Sequence, residues 1–256
     1  MEIGIQFYTL REHCKNLDDF AETLKKVADI GYKNVQISGV CDYEPEWLKE
    51  NLDKNGLKCV VTHTPPAQLT EDAAKVCRNH EIFGCDYVGL GMYNFSLKNE
   101  GNLYSDFMAQ YGPIIKTIKE NGKTFMYHNH AKEFLKIDGK TIMEKLAEDF
   151  KPEELGFILD TFWIQAAGGN PAEWIKKFAG RIPVIHLKDY SFEEDFKVFG
   201  DNIAVVGEGL INFDKVFEAA ACSGVDYMLV EQDNCHGENE FDCITRSYKY
   251  LKSCGF

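Results

Sequence analysis

The segment YHNHAKEF, residues 127–134, holds two of the chain's seven histidines, with a glutamate three residues after the second. Imidazoles at 128 and 130 offer two nitrogen donors for a metal, or two groups able to move protons near neutral pH. Other groups of the same kind close short apolar runs: His63 in THTPP, Asp160 in ILDTFW, His186 and Lys188 in IHLKDY, and Glu231 in LVEQDN. Two carboxylates with two imidazoles suit one divalent cation, Zn2+ or Mn2+ first, with Co2+ and Mg2+ as further candidates. Buried together without an ion, such groups are costly, and a shared cation removes that cost. Residue type alone leaves open whether His128 or His130 is the ligand. It also leaves open that each group is a separately hydrogen-bonded residue.

What would position them is a set of strands. Eight apolar runs fit strands, at Ile3–Tyr8, Asn34–Ser38, Leu57–His63, Asp86–Gly91, Lys123–His130, Leu155–Asp160, Ile182–Lys188 and Asp226–Gln232. Amphipathic segments lie between them. The first carries Phe20, Leu24, Val27 and Ile30 on one helical face, with Asp18 as expected N-cap and Gly31 just past the end. Lys54–Gly56, Glu120–Gly122 and Cys222–Gly224 repeat that helix stop before a strand. Eight strand–helix units predict an α/β chain folded as a (β/α)8 TIM barrel, one domain over 1–256. An open doubly wound sheet would want a glycine-rich phosphate fingerprint after the first strand, and YTLREHC is not one. In a barrel the chemistry sits at the carboxyl ends of the strands, where all the residues named above fall. Alternation puts His128 and His130 on one side of their strand and Tyr127 on the other.

Composition narrows the partners. A formal net charge of −13 without a basic cluster argues against nucleic acid. The absence of a long apolar run argues against a membrane span. Nine scattered cysteines with no CxxC pair, and no signal-like N-terminus, lead to a cytoplasmic expectation. In VGEGLINF, Gly207 and Gly209 bracket Glu208, with no lysine or arginine beside them. Barrels often hold phosphate in this region, yet Glu208 would repel an anion, so the expected substrate is unphosphorylated.

GIQFYTLR, YHNHAKEF, LDTFWIQAAGG, RIPVIHLKDY, VGEGLINF and LVEQDN together resemble the sugar phosphate isomerase/epimerase family of the xylose isomerase-like barrels, nearly end to end. That superfamily also contains zinc apurinic endonucleases. The resemblance implies four metal ligands: His128, Asp160, His186 and Glu231. It also implies a small sugar substrate and a homo-oligomer. Many members carry glutamate where this chain has His128. The epimerases among them use two metal-bound carboxylates as acid and base, and here the first is missing.

The reading that follows is a metal-dependent isomerase or epimerase of a ketose or keto-sugar. It works through an enediolate, with Glu231 abstracting the proton, His130 or Glu133 returning it, and Lys188 stabilising oxyanion charge. A rim salt bridge to Asp189 is the plainer reading of Lys188. His63, His130, Lys188 and Trp163 are the expected substrate contacts, Trp163 as an apolar wall. The alternative is a dehydratase or lyase on a keto-sugar or keto-inositol. An apurinic endonuclease, which needs further histidines, and a non-catalytic sugar-binding barrel are the remaining alternatives.

Overall fold

The computed structural model describes residues 1–192 and 202–256. Eight strands run parallel: β1 Glu2–Gln6, β2 Asn34–Ile37, β3 Lys58–Thr62, β4 Tyr87–Leu90, β5 Thr124–His128, β6 Leu155–Asp160, β7 Val184–Leu187 and β8 Tyr227–Val230. Each pairs with its neighbours in sequence except β3 with β4, and β1 pairs with β8. The remaining seam is between β3 and β4, where the Thr64 N–H donates to the Gly89 carbonyl at 2.8 Å. Gly89 is what lets those strands approach: a Cβ there would lie 2.0 Å from the Thr62 carbonyl oxygen. The result is a nearly closed barrel with helices between its strands, as the strand–helix alternation predicts.

The helices are α1 Leu17–Ile30, α2 Pro45–Asn55, α3 Pro66–Ile82, α4 Tyr104–Glu120, α5 Ile142–Asp149, α6 Thr161–Ala166, α7 Pro171–Lys177, α8 Phe213–Ala221 and α9 Glu240–Ser253. The N-cap of α1 is Asn16, not Asp18: the Asn16 side chain accepts from the Asp19 N–H at 3.0 Å, and Asp18 falls in the first turn. Gly31 does end this helix, at φ 121°. The large apolar core lies between strands and helices, and includes Phe20, Leu24 and Val27.

The barrel interior has its own small cluster, with Met126, Ile158, Val184 and Leu229 at its centre. These four sit on β5 to β8, and their side chains point inward. A strand repeats every two residues. One repeat further along the same strands stand His128, Asp160, His186 and Glu231. The apolar floor and the polar layer above it are thus the same pattern read two residues apart. Tyr127, between them, points outward among Phe95 and Phe107. No helix among the described residues is long and apolar enough to cross a membrane.

Candidate metal centre

His128, Asp160, His186 and Glu231 bring one donor atom each to within 4.8 Å of one another, all buried. His128 Nε2 lies 3.1 Å from His186 Nδ1, 3.4 Å from Asp160 Oδ2 and 4.0 Å from Glu231 Oε2. His186 Nδ1 lies 2.7 Å from Glu231 Oε2 and 3.8 Å from Asp160 Oδ2. Four donors around one ion at ordinary Zn–N and Zn–O lengths sit roughly 3.3 Å apart, which this spread brackets.

The second nitrogens of the two rings decide what the first ones offer. His128 Nδ1 meets the Gly91 carbonyl at 2.9 Å, and His186 Nε2 meets Gln36 Oε1 at 2.6 Å. Both partners accept, so both of these nitrogens carry the proton. His128 Nε2 and His186 Nδ1 are then lone pairs aimed at each other and at two carboxylates. Glu231 Oε2 is buried and finds no partner in hydrogen-bonding geometry, despite its close neighbours. The Lys188 ammonium meets the two carboxylates, at 3.1 Å from Asp160 Oδ2 and from Glu231 Oε2, but it leaves the two imidazole lone pairs without a positive partner, and a cation relieves that convergence. The donor set therefore fits a divalent ion.

Other contacts hold the ligands in place. Gln6 Nε2 donates to Glu231 Oε1 at 3.0 Å. The Asp160 N–H donates to Asn129 Oδ1 at 3.0 Å, and Asp160 Oδ1 caps α6 by accepting from the Trp163 N–H at 2.9 Å. Thr161 Oγ1 donates to the Lys188 carbonyl at 2.8 Å and accepts from the Lys188 N–H at 3.0 Å. That pin joins β6 to β7 and gives the threonine of LDT its purpose.

Lys188 is almost wholly buried in the cluster. Its Nζ is 3.1 Å from Asp160 Oδ2, 3.1 Å from Glu231 Oε2 and 3.1 Å from Asp233 Oδ2. The expected rim salt bridge to Asp189 is not formed, because the Asp189 carboxylate faces the other way. It accepts from the backbone N–H groups of Gly207, Gly209 and Ile211 at 3.0, 2.9 and 3.1 Å. The VGEGLINF turn is therefore wrapped around a side chain of its own protein.

Charge is strongly coupled here. Burial opposes ionisation of Lys188, and Asp160, Asp233 and Glu231 override it, holding the ammonium well above its ordinary range. Burial likewise pushes Glu231 up, and the Lys188 ammonium is the largest influence that brings it well below the usual carboxylate range. His63 and His130 are lowered, chiefly by burial and then by His128.

His130 lies two residues beyond β5, in the loop rather than in the strand. Its ring is 4.7 Å from that of His128 and 4.9 Å from that of Trp163. Its Nδ1 is buried with no hydrogen-bond partner among the described residues. His63 stands on the other side, its ring 4.9 Å from His128 and 5.7 Å from His186, with Nε2 equally unpartnered. His63 also lines a cavity of about 630 Å3 whose other lining residues include Asp42, Glu44, Glu71 and Asp72 and none of the four candidate ligands.

Glu133 occupies a different place from the one expected of a proton carrier. One oxygen accepts from the Tyr127 hydroxyl at 2.6 Å and the other from the His130 N–H at 2.8 Å. Tyr127 is on the outward side of β5, so Glu133 braces the His130 loop from behind. Burial raises its pKa to about 7. Trp163 is half-buried and packs against His130 and Phe162, with Lys188 Nζ 5.7 Å from its ring. Sequence reasoning missed Gln6, Gln36 and Asp233. The signal for the two glutamines was present: each sits at the end of an apolar strand run, in the same kind of position as the ligands on β5 to β8.

Eight parallel strands in a nearly closed barrel, with helices between them, are the architecture of the xylose isomerase-like TIM barrels. The chain belongs to that family: its model, xylose isomerase-like TIM barrel, matches residues 24–254. An inosose dehydratase of Lacticaseibacillus casei is 22% identical over 266 residues, covering 91% of this chain and 88% of that protein. A Geobacillus thermodenitrificans protein of the same name is 26% identical over 173 residues, covering 62% of this chain and 56% of its own length. The chain thus spans a little over half of that second relative. Among solved structures, a sugar phosphate isomerase/epimerase of Parabacteroides distasonis superposes with a TM-score of 0.79 at 24% identity, covering 98% of this chain and 97% of its own. An L-ribulose 3-epimerase gives 0.75 at 16% identity, covering 99% and 94%. The IOLI protein with a binding zinc atom gives 0.75 at 15% identity, covering 100% and 99%.

Proposed function

We propose that this chain is a divalent-metal-dependent dehydratase of an unphosphorylated keto-sugar or keto-cyclitol. The observation that carries it is the set of four converging donors, with the imidazole of His130, its Nδ1 unpartnered among the described residues, beside it. When bound by His128, Asp160, His186 and Glu231, the ion would chelate the substrate's carbonyl and adjacent hydroxyl and acidify the C–H between them. His130 takes that proton on its free Nδ1. The electron pair left on carbon forms the new C=C bond as the C–O bond to the β-hydroxyl breaks. His130 returns the same proton to the departing hydroxyl, which leaves as water. One base on one face is enough for this sequence.

The relatives named inosose dehydratase support elimination over the isomerase or epimerase expected from the sequence. Epimerisation, unlike isomerisation by a single base on one face, needs another proton carrier on the opposite face. Glu231 would have to serve, with Gln6 holding its Oε1 and the Lys188 ammonium 3.1 Å from its Oε2. The epimerase neighbours keep it as the competitor. Phosphate is disfavoured because the amides of the 207–211 turn already hold Asp189.

Product analysis separates the two. Incubating the Mn2+- or Co2+-loaded protein with keto-sugars and keto-cyclitols should give an unsaturated carbonyl chromophore and loss of water by mass. Deuterium uptake from solvent with recovery of an isomeric sugar, and no chromophore, would overturn the dehydratase reading.

A further inference from the structure

Lys188 is the one member of the cluster that a metal centre does not require. Its ammonium touches Asp160 Oδ2 and Glu231 Oε2, the carboxylate oxygens that face the two imidazole lone pairs. A divalent ion and an ammonium repel when they share the same oxygens in a buried site. Lys188 is 1% exposed, so retreat to water is closed to it. Its backbone is pinned by Thr161 on both its N–H and its carbonyl, which leaves the side chain to pivot about a fixed point.

The third oxygen near Nζ belongs to Asp233, which is not among the four ligands. The other Asp233 oxygen, Oδ1, is buried and has no hydrogen-bond partner among the described residues. The carboxylate therefore has acceptor capacity in reserve. The segment that carries it is fixed: Arg11 Nη2 donates to the Asp233 carbonyl at 3.0 Å, and the Gln232 N–H donates to Thr9 Oγ1 at 2.9 Å.

We propose that Asp233 is the seat onto which Lys188 shifts when a divalent cation takes Asp160 and Glu231. Asp233 thereby keeps the ammonium inside the site as a fixed positive group facing substrate oxygen, and stops it competing with the ion. Asp233 is a positioning residue that acts through Lys188, and this role rests on the metal-centre reading above.

The test is Co2+ titration by calorimetry at one fixed pH, on the full chain, as a double-mutant cycle. Asp233→Asn should weaken Co2+ binding by about tenfold, the size expected for coupled neighbours in one charge network. Lys188→Met should tighten it, with Lys188→Gln for the same arm if the Met variant does not fold. In the Lys188 variant, adding Asp233→Asn should change affinity by less than about threefold, because the ammonium it seats is gone. Asp233→Glu, which keeps the charge, should retain most of the wild-type affinity. Equal weakening by Asp233→Asn in both backgrounds would mean that Asp233 acts on the ion directly and would overturn the proposal, as would no weakening at all. A wild-type protein that binds no Co2+ would instead overturn the metal centre, and this role with it.

Discussion

At the scale of single residues, the four proposed ligands are not equivalent to their supports. Asp160→Asn and Glu231→Gln each remove a charged donor, and both variants should lose bound metal by elemental analysis while the barrel stays folded. Gln36→Leu leaves all four ligands but frees the proton-bearing nitrogen of His186, and should weaken metal binding by roughly 10–100-fold, the usual cost of losing such a partner. Full occupancy in the two ligand variants would dismiss the site. Glu133 gives a pH test. Its folded pKa of about 7 lies above its ordinary value of 4.5. Between those values the folded protein binds more protons than the unfolded chain, so this group's contribution to stability falls as pH rises. Glu133→Gln removes the effect, so unfolding midpoints should show the variant gaining on the wild type from pH 5 to pH 8. The shift implies a change on the order of 3 kcal/mol. A constant gap between the two proteins across that range would show that Glu133 is not held as described.

At the scale of elements, the strand ends were legible from the apolar runs, while the choice of His128, Asp160, His186 and Glu231 came from the family resemblance, since alternation puts His128 and His130 on one side alike. His128, Asp160, His186 and Glu231 each follow an inward apolar residue by two positions, and the ends of the apolar runs marked the rim. What the sequence left hidden depends on side chains meeting across strands. Lys188 is followed directly by an aspartate, so a neighbouring salt bridge was the natural expectation; nothing local says that Asp189 turns to clamp three amides while Lys188 turns inward. Glu133 was misplaced for a related reason, since the 3-10 turn at Lys132–Phe134 folds it back onto Tyr127. The clamp predicts that Asp189→Ala leaves buried N–H groups unpaired and lowers stability by on the order of 3 kcal/mol in urea unfolding. The seam between β3 and β4 is equally exposed to a small change. Gly89→Ala places a methyl 2.0 Å from a backbone oxygen, which no rotamer change relieves. It should cost about 3 kcal/mol or more. A variant as stable as wild type would mean that β3 and β4 separate more easily than this packing implies.

At the scale of the whole molecule, charge bears on which substrates can approach. The net charge of −13 favours neutral ligands over anions at every distance that salt does not screen. The cavity beyond His63 continues that bias, with Asp42, Glu44, Glu71 and Asp72 against a single lysine, Lys75. Inside, the one basic side chain in the cluster, Lys188, is already surrounded by three carboxylates. The 207–211 amides, which could otherwise cradle a phosphate, are filled by Asp189. A phosphate ester would therefore meet like charge outside and filled amides at the 207–211 turn. The expectation is that a free keto-sugar or keto-cyclitol is turned over with a higher kcat/KM than its phosphorylated counterpart, by about tenfold or more, since like-charge juxtaposition costs several kcal/mol. Raising the salt concentration should narrow that ratio by screening the outer charges, while the part set by the filled amides persists. A phosphorylated substrate preferred at low salt would require an anion site on a part of the barrel mouth other than the turn around Asp189.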